Sequence, residues 1–378
     1  MSIYLDNAAT TCVCPEAAEA AVNAMRTVYG NPSSGHAAGR EAKRLLDASR
    51  ETVAAALGCT AREVYFTSCG TESDNWALVR GAERASHVGR HIISSAAEHE
   101  AVLKPLEYLA AHGFEVTLLK PRADGAIAPE DVAAALRADT CLVSLMMVNN
   151  ETGAVTDIAA VAAVLKAAGF KALLHTDAVQ GFLHIPFAAS KLGADLISVS
   201  GHKIHAPKGV GALYIRQGLR LNPYLMGGGQ ESGLRSGTEA MPQIAAFAAA
   251  VKAAQGSAEA DLGRIARLRQ AAAERLAAEN PDVVIIGGGA PHILCFSLPG
   301  DRSEVIMNVL ESKGIFVSKG SACKKGRRSH VLEAMGLPAR VIDGAVRVSL
   351  SRFTTESEMD ALCSAVGEAR RTVRAALR

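Results

Sequence analysis

The chain has 378 residues, 49% of them apolar and 4% aromatic, with a formal net charge of +2. That length exceeds one ordinary domain, and the apolar share is ample for a large buried core. The near-neutral balance and the shortage of aromatic rings exclude a dedicated polyanion binder or a stacking surface for single strands, and no apolar run reaches the roughly 18 residues of a membrane span.

Eight cysteines lie at Cys12, Cys14, Cys59, Cys69, Cys141, Cys295, Cys323 and Cys363. No CxxC pair occurs, and the spacing fits neither a zinc site nor a dense disulfide framework, so no metal is expected. Reduced thiols in a cytoplasmic enzyme are the simplest reading. Residues 1–6 lack the basic and apolar regions of a signal peptide.

Between about residues 60 and 215, short apolar runs alternate with alanine-rich helical stretches. Strands are predicted at 64–67, 91–94, 115–119, 141–147, 172–176, 196–199 and 211–214. Helices are predicted at 71–86, 98–112, 129–138 and 158–168. Such alternation reads as a mostly parallel sheet with helices on both faces, which binds ligands at the carboxyl ends of its strands. Further helices are predicted at 241–254 and 260–280. After Gly287-Gly288-Gly289 the texture changes, to strands at 293–298, 315–318 and 345–350 and helices at 303–313 and 355–376. The expectation is an α/β chain with a large domain over 16–255 and a smaller α+β domain formed by 1–15 plus 256–378.

Three strand ends carry chemistry. Ser198-Val199-Ser200-Gly201-His202-Lys203 puts a lysine directly after an apolar strand. It is either a solvated loop lysine or a Schiff-base lysine, whose amine must be desolvated to be nucleophilic at neutral pH; Ser200 and His202 would then bind a phosphate. His175-Thr176-Asp177-Ala178-Val179-Gln180 closes another strand with an acid. Asp177 could merely cap the next helix, or pair with the pyridinium nitrogen of pyridoxal phosphate (PLP) so that the ring accepts electrons. One acid and one amine at strand ends of the same sheet favour the cofactor. The turn Thr67-Ser68-Cys69-Gly70-Thr71-Glu72 enters a helix, where backbone N–H groups and the Thr71 hydroxyl can hold an anion; alone it would read as an ordinary N-cap. It matches neither a Walker loop nor a dinucleotide fingerprint.

Further motifs are Tyr4-Leu5-Asp6-Asn7-Ala8-Ala9-Thr10-Thr11, Asn31-Pro32-Ser33-Ser34-Gly35-His36, Glu98-His99-Glu100, Asn149-Asn150-Glu151-Thr152-Gly153, Gly227-Gly228-Gly229-Gln230-Glu231, Arg235-Ser236-Gly237-Thr238, Gly320-Ser321-Ala322-Cys323 and Arg347-Val348-Ser349-Leu350. With the Asp177 and Lys203 motifs, and in this order, the sequence resembles the NifS/IscS-type cysteine desulfurases, class V aminotransferase-like enzymes of fold-type I. The resemblance implies a large, mostly parallel seven-stranded sheet domain, a smaller α+β domain and PLP as cofactor. It implies that Lys203 holds the cofactor and moves protons, that His99 stacks on the ring and shuttles a proton as a third catalytic residue beside Lys203 and Cys323, and that Asp177 meets the ring nitrogen. Gln180 would meet the phenolic oxygen, with Asn150 close by. Gly70, Thr71, Ser200 and His202 would bind the phosphate, joined by Thr238 from a second subunit, hence a homodimer. Arg347 would grip the carboxylate of L-cysteine, assisted by Asn7, Asn31 and Asn150.

The same resemblance makes Cys323 the thiol that takes sulfur from cysteine as a persulfide, leaving alanine. Its neighbours Lys319, Lys324, Lys325, Arg327 and Arg328 would raise the thiolate fraction of a group with a free pKa near ~8.5. The segment from Cys323 to Ser329-His330 is about two residues shorter, and more basic, than the housekeeping pattern. That suggests an acidic acceptor or a tRNA-thiolating partner in place of the usual iron–sulfur scaffold; direct nucleic-acid binding rests on charge alone and is not expected. Cys69 reads as packing; Cys12 and Cys14 have no assigned role. The rival activities are a selenocysteine lyase or another PLP-dependent lyase or aminotransferase of the same fold.

Overall fold

The computed structural model describes residues 2–319 and 328–376, with side chains through residue 372. In chain order the strands are β1 (Ile3–Tyr4), β2 (Val64–Thr67), β3 (His91–Ser95), β4 (Glu115–Leu119), β5 (Thr140–Ser144), β6 (Leu173–Asp177), β7 (Leu196–Ser200), β8 (Gly211–Ile215), β9 (Val284–Ile286), β10 (Ile293–Ser297), β11 (Ile315–Phe316) and β12 (Ala345–Ser349).

Seven of them form one sheet in the order β2-β8-β7-β6-β5-β3-β4. Only β8 runs antiparallel to its neighbours. Strands β3, β5, β6, β7 and β8 are buried along their whole length, as a sheet covered by helices on both faces requires. The helix Gly70–Ala85 packs on β5 to β8. Its Gly81 makes that approach possible, since a Cβ there would come within 3.2 Å of Leu196 Cδ1.

A three-stranded antiparallel sheet, β12-β10-β9, and the parallel pair β1-β11 lie apart from the large sheet. They share a separate apolar cluster in which Leu5 joins Phe296, Ile306, Val346 and Leu362. The first residues of the chain are thus packed with its last third, and Ser349 N donates to Leu5 O at 2.7 Å.

All seven predicted strands of the large sheet are present, 64–67 and 115–119 with the predicted bounds and the rest within one residue at each end, except that 141–147 narrows to Thr140–Ser144. Two long helices, Pro15–Arg26 and Ala37–Leu57, stand where the sequence reading put no element. Pro15 starts the first, at a position where its missing N–H costs nothing. His36 caps the second, and Gly58 ends it with φ +69, a conformation glycine adopts freely. Both pack on Met241–Gln255.

Candidate active site

The carboxyl ends of β2, β6 and β7 open into a cavity of about 1090 Å³ lined by Gly70, Thr71, His99, Asn150, Asp177, Gln180, Ser200, His202, Lys203 and Arg347, among others. Ten of the sequence candidates therefore meet in one place.

Lys203 follows β7 in a single helical turn, Gly201–Lys203. Its Nζ donates to the carbonyl oxygens of Ala8 at 2.7 Å and Ala9 at 2.8 Å. Burial, with Arg347 adding repulsion, lowers its pKa to about 8. A fraction of the amine is then neutral near physiological pH, the form that can attack a carbonyl or accept a proton.

Asp177 ends β6, and its Oδ1 accepts from Val179 N at 2.8 Å. Burial and then the neighbouring Asp74 push its pKa up to about 7. A cation placed beside that carboxyl would favour the ionised form.

His99 caps the helix Glu100–Ala111, with Nδ1 accepting from Ala101 N at 3.1 Å. That bond leaves the ring proton on Nε2. The ring opens onto the cavity, yet loss of bulk water there lowers its pKa while Asp177 pulls the other way.

At the other side, the first turn of Gly70–Ala85 presents the positive end of a sixteen-residue helix. A Cβ on Gly70 would meet Val179 Cγ2 at 2.7 Å, so only glycine lets the helix start sit this close to β6. Ser200 is buried with an Oγ that has no partner among the described residues. His202 contacts Thr10 Oγ1 at 3.2 Å and is lowered to about 4 by burial and then by Lys203, so it is a neutral ring.

Arg347, on β12, is 2% exposed. Its Nη1 donates to Asn150 O at 2.8 Å and its Nη2 to Asp6 Oδ1 at 2.7 Å, while Nε has no partner among the described residues. A guanidinium with donors to spare in a cavity is suited to a carboxylate.

Three candidates stand apart from the cavity. Thr238 is exposed. Asn31 is exposed, and its Oδ1 accepts from Ser33 N at 2.9 Å. Asn7 is buried, with Nδ2 donating to Tyr4 O at 3.2 Å and Ser349 O at 2.8 Å, which ties the start of the chain to β12.

Cys323, with Lys324, Lys325 and Arg327, lies outside the described residues. The residues on either side of that segment, Lys319 and Arg328, line the cavity. Lys319 pairs with Glu304 at 3.0 Å, and Arg328 pairs with Asp343 through two bonds of 2.7 and 2.8 Å. Ser329 Oγ donates to Glu151 Oε2 at 2.5 Å. Burial raises the thiols of Cys59 and Cys295 to about 12 and of Cys141 and Cys363 to about 11, which keeps them protonated. Cys69 lines the cavity, and Cys12 is exposed with Sγ 3.8 Å from His205 Nδ1.

Asp74 and the Ala8 carbonyl belong to the site although sequence reasoning passed over them. The signal for Asp74 was its place four residues after Gly70, which is one turn along the same helix face; a backbone carbonyl leaves no signal. Among the described residues, no group of three or more His, Cys, Asp or Glu could hold a metal ion, and no helix is long and apolar enough to cross a membrane.

These residues fit pyridoxal phosphate. Ser200 Oγ, the helix start at Gly70 and neutral His202 offer donors to a phosphate, while buried Asp177 and the desolvated Lys203 amine match a cationic ring nitrogen and an aldehyde.

Comparison with known proteins gives four similarities. A family profile described as aminotransferase class-V matches residues 3–362. A cysteine desulfurase of Trichormus azollae is 41% identical over 371 residues, 97% of this chain and 92% of that protein. A cysteine desulfurase IscS of Methanosarcina thermophila is 38% identical over 372 residues, 97% of this chain and 91% of that one. Among solved structures, a NifS-like protein superposes with a TM-score of 0.92 at 38% identity, covering 98% of this chain and 100% of the other.

Proposed function

The chain belongs to the aminotransferase class-V family and is a cysteine desulfurase within it, and on that premise we propose that it binds pyridoxal phosphate at Lys203 and carries the sulfur of L-cysteine as a persulfide on Cys323. When bound, the cofactor supplies a ring that accepts the electrons released at the substrate carbon. Asp177 holds the ring nitrogen in its cationic form, and Gln180 donates to the phenolic oxygen. His99 covers the ring face. Gly70, Thr71, Ser200 and His202 bind the phosphate. Arg347 orients the substrate carboxylate, with Asn150 on the same cavity wall, whereas Asn7 and Asn31 lie outside that wall. Lys203 Nζ, neutral in part at physiological pH, takes and returns the proton at the substrate α-carbon.

The Cys323 thiolate forms a bond to the substrate sulfur as the substrate carbon–sulfur bond breaks. The electron pair of that bond stays with the carbon, which is then protonated to give L-alanine. Cations at Lys319, Lys324, Lys325, Arg327 and Arg328 favour the thiolate and suit an acidic acceptor protein in iron–sulfur or thiolation chemistry. Exposed Thr238 completes the phosphate site of a second subunit, so the working unit is a homodimer. The body over 16–255 binds the cofactor, and 1–15 with 256–378 carries the cysteine segment. Reduced thiols suit a cytoplasmic setting.

The observation that carries this reading is the meeting of a desolvated Lys203 amine and a buried Asp177 carboxyl in one cavity, with the flanks of the Cys323 segment on its wall. The test is to follow the visible absorption of the purified protein and its formation of alanine from cysteine. Both are expected in the native enzyme and neither in Lys203→Ala; alanine formation at an unchanged rate in that variant would overturn the reading.

A further inference from the structure

Gln180 reaches the cavity with its two amide ends engaged differently. Its Nε2 donates to Ala8 O at 2.8 Å, and its Oε1 lies 3.2 Å from His292 Nε2. A carbonyl oxygen only accepts, so the nitrogen end must face Ala8. The oxygen end also only accepts, so His292 must carry its proton on Nε2. His292 is 1% exposed, and its Nδ1 has no partner among the described residues. Its ring stacks on His184 with centroids 3.9 Å apart and planes 18° from parallel.

A second proton on His292 is opposed from every side. Burial is the largest cause, followed by His184, Arg347, Lys203 and Arg269. His184 is itself lowered to about 4 by burial and then by His205. The imidazole therefore stays neutral, a donor through Nε2 alone. A buried polar ring with an unused nitrogen is costly where an apolar side chain would fill the space.

We infer that His292 is a positioning residue for the reaction: its Nε2–H locks the Gln180 amide so that the second Nε2 proton is left for the cavity, with His184 fixing the plane of the His292 ring. Flipping the amide would set its oxygen against Ala8 O and turn its NH2 group onto the His292 N–H. The flipped amide would also offer the cavity a lone pair where the phenolic oxygen needs a donor. The inference rests on the cofactor reading above, and it adds a residue that touches neither cofactor nor substrate.

The test is the pH at which the visible band of the cofactor-loaded enzyme changes, since a donor at the phenolic oxygen favours its ionised form and lowers that midpoint. His292→Phe keeps a ring against His184 but removes the donor, and is expected to raise the midpoint by roughly one unit, the worth of one hydrogen bond to a charged group. His292→Gln, whose amide nitrogen can take the place of Nε2, is expected to stay near the native midpoint. In a Gln180→Leu background, His292→Phe should add no further shift. His292→Leu replaces the phenylalanine variant if that protein does not fold. An unmoved midpoint in the donor-less variant, or a shift that persists without Gln180, would overturn the inference. Absence of any visible band in the native protein would instead overturn the cofactor reading, and this inference with it.

Discussion

Arg347 Nη2 donates to Asp6 Oδ1 at 2.7 Å, which joins β12 to the turn that follows β1 at the wall of the cavity. The guanidinium spends one nitrogen on Asp6 and another on Asn150 O, and still presents an N–H without a partner among the described residues.

A lysine at that place offers a point charge and no fork. Arg347→Lys is therefore expected to raise KM for cysteine by about 10- to 100-fold, the worth of one charge-assisted hydrogen bond, with a smaller effect on kcat. Steady-state kinetics at a fixed pH checks it. An unchanged KM would remove Arg347 from substrate binding.

The lowered pKa of Lys203 predicts a pH window for stability in the cofactor-free protein. Below about pH 8 both the folded and unfolded states hold the proton, and the folded state carries a buried charge at full cost. Between pH 8 and the ordinary value of 10.5, the unfolded chain binds the proton that the folded protein has lost, so stability rises with pH. Relative to Lys203→Met, the native protein is expected to gain roughly 3 kcal/mol between pH 7 and 10.5. Urea denaturation of both apoproteins across that range measures it, and parallel pH curves would contradict it.

Asp177 and Asp74 work in the opposite sense. Each has a folded pKa near about 7 because burial disfavours its charge. As pH rises from 3.8, the unfolded chain loses protons that the folded one keeps, so folded stability falls until about pH 7. Asp74→Asn should thus stabilise the cofactor-free protein more at pH 8 than at pH 5. Asp177→Asn should lower turnover on the order of 10²-fold or more by removing the counter-charge of the cofactor ring; native turnover would deny it that place.

Arg50 and Glu231 make a two-bond ion pair of 2.6 and 2.7 Å, with the Glu231 side chain 2% exposed. Glu231 also accepts from Phe66 N at 2.9 Å, and it holds φ +48 in the segment that leads to Thr238. Arg50→Ala leaves a buried charge alone and is expected to cost about 3–5 kcal/mol. Thermal unfolding should show the loss, and Arg50→Ala together with Glu231→Gln should recover part of it.

How far the sequence could be read depended on how each residue acts. Asp177 and Lys203 were legible because the first ends and the second closely follows a strand buried along its whole length, where a charge needs a reason. The helices Pro15–Arg26 and Ala37–Leu57 were not, since their buried stripes include Ala17, Ala24, Ala42 and Ala54, and alanine marks a periodicity weakly. Asn7 was singled out with its motif, yet its amide is engaged by Tyr4 O and Ser349 O, and no spacing in the sequence foretells a contact across 342 residues. His292 gave no signal: its partner Gln180 is 112 residues away.

The mechanism proposed for this enzyme depends on Cys323 as the sulfur carrier. Purified enzyme loaded with cofactor is given L-cysteine, alanine is quantified, and the added sulfur is mapped by mass spectrometry in native and Cys323→Ser proteins. The expected result is alanine with one extra sulfur on Cys323 in the native enzyme, and loss of both in the serine variant. Alanine released at the native rate by Cys323→Ser, or persulfide found on Cys12 in place of Cys323, would contradict the account.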